Sequence, residues 1–427
     1  MSRAWDPVRW RSTFLAIWTG QAFSLFGSHL VQFSLVWWLT QTTGSATVLA
    51  GATIVALLPQ ILVAPMAGAL VDRWNRRWVM VFADGGIALA TLGLAALFAA
   101  GVARVWHVYL ALLVRAVGGA FHWPAMQAAT AIMVPERHLA RVGGLNQSLF
   151  GLASIVSPPA GALLLGVLPM HGVLAIDVAT ALFAIPPLLV FRIPRPSRDP
   201  SASARTSVFA DFRAGLRFVL GWRALLAIIV AAAGINLFAS PAVSLMPLLV
   251  TRHFGGGAIQ LAGLESAFGI GVVVGGVLLG VWGGFRRRIV TVMSALLVEG
   301  MGFVAMGILP AAQFGMAVGA CGLVGVMNSI SNGALFAVIQ AAVPHDMQGR
   351  VMSILISGAT AASPIGLAIA GPLADRYGVP LWYVLAGALM AVVSLLFFAV
   401  PGLLRFAERD PQGEARAPDD DSPQATA

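Results

Sequence analysis

The chain contains no lysine: all 26 of its basic side chains are arginine. Among 427 residues there are one cysteine, Cys321, and three tyrosines, and charged residues make up only 10%. A lone cysteine excludes an internal disulfide, a thiolate metal cluster and a two-cysteine redox motif. Scarcity of charge excludes a soluble domain of this size, since such domains carry roughly a quarter charged residues. No glycine-rich phosphate loop is present, which argues against ATP-driven work within the chain. No His/Cys/Asp grouping has metal-ligand spacing, and no serine stands in a hydrolase elbow. The sequence therefore leads to the expectation of no cofactor, no metal and no enzymatic role.

What is present is apolar. Hydrophobic residues make up 59% of the chain, and its mean hydropathy is +0.87. The surplus falls into blocks of about 20 residues, the length that carries a helix across a bilayer. Twelve such runs lie near 13–39, 46–71, 78–100, 105–133, 142–169 and 172–191, then 224–250, 260–283, 289–309, 312–341, 351–372 and 380–402. The first run is too long for a cleaved signal and no small-residue cleavage site precedes it, so it is expected to remain as the first helix. The fold class read from this pattern is an all-α membrane protein with twelve transmembrane helices.

Charge sets the orientation. Placing the first residues in the cytoplasm puts 22 arginines inside and only Arg104, Arg252 and Arg376 outside, with Arg115 embedded. That bias predicts a multi-pass protein with both termini cytoplasmic, and the expected location is the bacterial inner membrane. The net charge of +9 is explained in the same way, without a nucleic-acid partner. Residues 192–223 form a linker whose first part is rich in Pro, Ser and Arg. Its second part spaces Val208, Phe209, Phe212, Leu216, Val219 and Leu220 as one face of an amphipathic helix on the membrane surface. The acidic, Pro-rich tail at 405–427 is expected to be disordered. The domain division is then a six-helix bundle over 1–191, the linker, a second bundle over 224–404 and the tail.

The two halves repeat. Val134-Pro135-Glu136-Arg137 through Arg141-Val142 matches Val343-Pro344-His345-Asp346 through Arg350-Val351 at an offset of 209 residues, and Ser157-Pro158 matches Ser363-Pro364 at 206. Gly68 followed by Arg76-Arg77 has its counterpart in Gly276 followed by Arg286 to Arg288. Two duplicated six-helix halves are a transporter architecture, with the substrate path between them.

On these residues the chain resembles the major facilitator superfamily. The segment Gly68-Ala-Leu-Val-Asp-Arg-Trp-Asn-Arg-Arg77 is similar to the family's loop between helices 2 and 3, and Arg115 with Gly119 is similar to its helix-4 motif. Ser157-Pro158-Pro159-Ala160-Gly161 resembles a degraded form of the helix-5 Gly-Pro motif of drug/proton antiporters. Thr40 to Ser45, Leu145-Asn146-Gln147-Ser148, Phe212 to Arg217 and Gly349 to Met352 resemble the macrolide-efflux and enterobactin-exporter branch. The resemblance implies two pseudo-symmetric six-helix bundles and a secondary transporter, an exporter driven by proton flow.

Several residues are then expected to carry the mechanism. Gly68, Asp72, Arg73, Arg76 and Arg77 are read as a cytoplasmic gate, because an acid among arginines at a helix end can pair with a neighbouring helix. Ser157, Pro158 and Gly161 form the helix-5 motif. Arg115 lies deep in its run, where an arginine needs a partner or water. The acids that can titrate beside it are Asp84, Asp177, Glu265 and Glu299; Asp84 is placed with the Asp72 cluster, and Asp177 and Glu265 near wet outer ends. Gln21, Ser24, Ser28 and Gln32 recur along one face of the first run and Asn236, Ser240 and Ser244 along one face of the seventh; with His122, Asn328 and Asn332 they are expected to line the cavity. Trp37, Trp38, Trp106 and Trp382 suit an interfacial belt.

The expected function is proton-coupled export, by alternating access, of a small amphiphilic or drug-like molecule, by a monomer in the bilayer. Alternatives are a siderophore exporter or importer of the same fold, or a lipid flippase-like protein.

Overall fold

The computed structural model describes residues 10–63, 66–67, 70–71, 74–191, 193 and 208–399, without the side chains of 208–212, 223–224 and 345–346. Gly68, Asp72, Arg73, the linker's Pro/Ser-rich part and the acidic tail lie outside the described residues. Among the described residues there is no β-strand. The first half comprises α1 (Trp10–Thr43), α2 (Ala46–Leu62), α3 (Arg76–Ala99), α4 (Val105–Met133), α5 (Glu136–Val167) and α6 (Met170–Val190). The linker contributes α7 (Val208–Gly221), as its amphipathic spacing predicts. The second half comprises α8 (Arg223–Ser244), α9 (Ala258–Trp282), α10 (Arg288–Ile308), α11 (Phe314–Ala342), α12 (His345–Tyr377) and α13 (Val379–Ala399).

Eleven of these helices are long and apolar enough to span a bilayer. The twelfth, α2, is described as a helix for 17 residues, and helical hydrogen bonds recur beyond it from Ala67 N–H to Val63 O and from Trp74 N–H to Leu70 O. Helix starts follow local chemistry. Ser45 caps α2 and Asn75 caps α3 with side-chain oxygens. Pro135 and Pro344 stand at the equivalent starts of α5 and α12. Gly283 closes α9 at φ +76°, a left-handed conformation that a side chain resists.

Packing repeats between the halves. In the first, α1 lies on α5 and α6, α3 on α4 and α6, and α2 on α4. In the second, α8 lies on α12 and α13, α10 on α11 and α13, and α9 on α11. The two sets are one arrangement used twice. The halves meet along two seams, α2 with α12 and α5 with α9, which the same operation exchanges. Because the helices alternate in direction, one end of the molecule gathers Arg76, Arg77, Arg137, Arg141 and Arg286 to Arg288; this is the basic end. The opposite end carries the turns at 43–45, 101–104 and 376–378.

The outer surface is apolar, with Phe82, Leu163, Val167, Phe183 and Val281 among its most exposed side chains. In water such a surface would aggregate; in hydrocarbon it is the matched solvent, and the helices satisfy their own backbone groups there. Inside the second half, glycines bring backbones together. A Cβ on Gly271 would clash with the backbone of Gly322 and Val326, and one on Gly325 with that of Phe268. One expectation is corrected here. Trp382, near the start of α13, turns its side chain inward rather than outward: it is 5% exposed, stacks on Phe238 at 5.5 Å and donates its indole N–H to Phe238 O at 2.9 Å.

Candidate functional site

A cavity of about 820 Å³ opens among α1 to α5. Its polar wall comes from the α1 stripe, Gln21, Ser24, Ser28 and Gln32, together with Asp84, Arg115 and His122. Its aromatic wall is Trp18, Trp123 and Phe150. Exposed Gln60, Trp123 and Gln147 stand towards the basic end. There α1 is braced to α5 by Trp18 Nε1, which donates to Asn146 Oδ1 at 2.8 Å.

Two buried polar clusters sit along the polar wall. Asp84 on α3 is 5% exposed. It accepts from Gln21 Nε2 at 2.9 Å, and its other oxygen lies 3.3 Å from His122 Nε2. The close approach of α3 to α4 makes this reach possible, since a Cβ on Gly118 would lie 2.9 Å from Ile87. Asp84, expected beside Asp72, therefore has its described partners on α1 and α4.

The second cluster lies farther from the basic end. Arg115 Nη1 pairs with Asp177 Oδ2 and donates to Thr91 Oγ1 at 2.8 Å, while Nη2 donates to Ser28 O at 3.2 Å. Asp177 also accepts from Ser28 Oγ and Thr91 Oγ1, each at 3.2 Å. Asp177 is 2% exposed, which corrects the expectation of a wet outer-end carboxylate. Burial without an arginine would be prohibitive for it, and its position opposite Arg115 answers why a charge is tolerated at that depth. The α1–α6 approach is tight here: a Cβ on Gly27 would meet Thr180 and Asp177.

The other candidates are placed elsewhere. Glu299 is buried between α10 and α11, accepting from Asn328 Nδ2 at 3.0 Å, and Asn332 Nδ2 donates to Asn328 O at 2.9 Å. Asn236 Nδ2 donates to Ala232 O at 3.0 Å within α8. Glu265 follows Leu264 on α9 and precedes Ser266, whose hydroxyl donates to Ile155 O across the α5–α9 seam at 2.8 Å. Asn236, Ser240, Asn328 and Asn332 are absent from the described walls of the cavity, which come from the first half alone. Ser244, in contrast, shares a 2.6 Å hydrogen bond with Thr53 across the halves. Of the helix-5 motif, Ser157, Pro158 and Gly161 are buried, and a Cβ on Gly161 would lie 2.8 Å from Phe33 Cδ1, which sets the α1–α5 distance. Arg77 donates to Leu189 O and Arg288 to Ala337 O at 3.3 Å, each within its own half.

The end opposite the arginines is held by an acid that hydropathy passed over. Asp375, near the end of α12, receives Ala46 N–H at 2.7 Å and Thr47 N–H at 3.0 Å. It also receives the hydroxyls of Ser45 at 2.9 Å and Thr47 at 2.8 Å. Arg252 Nη1 lies 3.7 Å away. A separate apolar groove of about 900 Å³ runs along the outside of α3 and α4, lined by Trp74, Trp78, Phe82, Ile87 and Phe121 among others.

Two repeated six-helix bundles, an apolar jacket and a polar cavity walled by buried charges define a multi-pass membrane transporter. The family comparison agrees: the model of the Major Facilitator Superfamily matches residues 17–367, and the chain belongs to that superfamily. It is 33% identical over 387 residues to Macrolide efflux protein A of Streptococcus pyogenes, covering 91% of this chain and 95% of that one. It is 29% identical over 407 residues to the Multidrug efflux pump Tap of Mycobacterium tuberculosis, covering 92% and 93%. Among solved structures it is similar to the nucleoside transporter NupG, with a TM-score of 0.71 at 14% identity, covering 90% of this chain and 98% of that one; this likeness speaks to the fold.

Proposed function

We propose that this chain exports small amphiphilic, drug-like molecules from the cytoplasmic face of the bacterial inner membrane in exchange for protons. The observation that carries the proposal is the cavity itself: aromatic on one side, with buried Asp84 and partly buried His122 on the other. Amphiphiles match such a lining, because their apolar body needs contact area and their polar group needs a fixed partner. The arginine bias supports a cytoplasmic basic end, and the efflux-pump relatives support the outward direction. The proposed division of labour gives Asp84 the transported proton, with His122 sharing it, and makes the Arg115–Asp177 pair an anchor. Arg76 and Arg77, with Gly68, Asp72 and Arg73, are proposed to latch the basic end when that end is shut. Glu265 and Glu299 serve packing in the second half. The molecule works as a monomer.

The test uses everted membrane vesicles and a drug panel that includes a macrolide. Proton-dependent uptake of at least one compound is expected, and it should vanish in Asp84→Asn. Asn keeps the acceptor for Gln21, so folding should survive. Uptake that persists in Asp84→Asn removes that carboxylate from the coupling; no uptake of any compound removes the drug-exporter reading. The outer groove along α3 and α4 favours a lipid-handling role as the second reading, which would appear as altered leaflet asymmetry in reconstituted vesicles.

A further inference from the structure

The seam between α2 and α12 joins antiparallel helices, so the C-terminal end of each lies beside the N-terminal end of the other. At the end opposite the arginines, Asp375 belongs to the last turn of α12. A carboxylate there is unfavourable to its own helix, whose C-terminal end carries partial negative charge. It is favourable to α2, whose first N–H groups it takes. Contact between the helices brings it into reach: a Cβ on Gly371, one turn earlier, would lie 2.8 Å from Thr47 Cα. Asp375 thus serves the partner bundle at the expense of its own helix. Its bonds exist only while this end of the seam is closed.

The sequence pattern around it recurs. Gly-x-Leu-x-Asp-Arg spans Gly371 to Arg376 and also Gly68 to Arg73. The related positions Gly161-x-Leu163-x-Leu165 and Gly276-x-Leu278-x-Gly280 keep the glycine and leucine but lack the acid. All four lie in the last part of α2, α5, α9 and α12 or just beyond. Only the chain segments ending α2 and α12, the two partners of one seam, carry an aspartate. The α5–α9 seam has none.

We propose that Asp375 is a conformational latch: its carboxylate caps the N-terminus of α2, holds the end opposite the arginines shut, and must leave for that end to open. The latch rests on the alternating-access reading above and adds to it the residue that sets the equilibrium on the second side. Arg252 steadies the carboxylate from the second half, 3.7 Å away, without crossing the seam.

The test is a distance measurement on the full chain in lipid nanodiscs, in a Cys321→Ser background. Spin labels go at Val102 and Met316, both exposed and both at the end in question, one on each half. Asp375→Asn should raise the ratio of long to short distances about tenfold, within the range that loss of a helix cap produces. Because a change at Asp375 can also disturb α12, the partner side is altered independently. Ser45→Ala with Thr47→Val removes the two hydroxyl donors and should shift the ratio in the same direction. Combined with Asp375→Asn, it should add less than its own effect. Unchanged distances in both variants, or fully additive shifts, would overturn the latch. The labels report without substrate or gradient. Shifted distances with no uptake of any drug would therefore sink only the export reading, and proton-dependent uptake with unshifted distances would sink only the latch.

Discussion

Replacing Arg115 by Leu leaves Asp177 at 2% exposure with no cation. Thr91 and Ser28 hydroxyls still donate to it, but two neutral donors do not replace a guanidinium. Breaking a buried pair from one side destabilises by about 3–5 kcal/mol. Asp177→Leu should do comparable damage, since it strands the guanidinium with only Thr91 Oγ1 and Ser28 O as described acceptors. Removing both charges relieves both penalties, so Arg115→Leu/Asp177→Leu should fall within about 2 kcal/mol of the parent, because apolar replacements of a buried pair are often neutral. The cycle then yields a coupling of at least about 4 kcal/mol, well above the additivity error for independent sites. The assay is reversible unfolding of purified protein in mixed micelles, read by tryptophan fluorescence and repeated for the four proteins. Vesicle uptake by the double variant reports the role: an anchor is dispensable once its penalty is gone. Single variants that each lose under about 1 kcal/mol, or a double variant that loses their sum, would refute the anchor.

Gly271→Ala should destabilise the second half by about 1–3 kcal/mol, because the new methyl meets the backbone of Gly322 rather than a movable side chain; a thermal melt followed by size-exclusion chromatography checks it. Glu299→Gln keeps the oxygen that accepts from Asn328 and should leave proton-dependent uptake within about twofold of the parent; abolished uptake would move the coupling site into the second half. His122→Gln should weaken uptake at least about tenfold while leaving stability within about 1 kcal/mol, since Gln still offers a donor towards Asp84; the pH profile of uptake is the readout, and an unchanged profile removes His122 from the proton path.

Much of the fold was legible because hydropathy reports solvent, and the solvent here is hydrocarbon. The run read at 105–133 is α4 to the residue. The errors arise where helix and hydrocarbon part company. The runs read from 142 and from 351 begin as helices at Glu136 and His345, because Pro135 and Pro344 start turns whose polar residues are helical without being apolar. The run read to 250 is broken at Leu245, after which a short helical turn over Met246–Leu248 widens into a π-helical turn over Leu249–His253, a change that apolarity cannot register.

The site was legible in part for the same reason. Periodicity placed Gln21, Ser24, Ser28 and Gln32 on one face, and that face lines the cavity. Depth along a single helix could not reveal that Asp177 meets Arg115, because pairing between α4 and α6 is tertiary. Periodicity also placed Asn236 and Ser240 on one face of α8, but they are not among the described lining residues of the first-half cavity. Asp375 was missed because its run was read as ending at 372. The signal that finds it is the recurrence of Gly-x-Leu-x-Asp-Arg across helices of opposite direction.

All described walls of the cavity come from the first bundle, whereas the second is knit by glycine against backbone. Under the proposed export function, selectivity would then reside mainly in the first stretch of the gene. If the cavity takes the exported molecule as proposed, Trp18, Trp123 and Phe150 are the positions where a lineage would vary its substrate range. On the same proposal, a chimera that exchanges the first bundle and keeps the second is expected to change which compounds are exported.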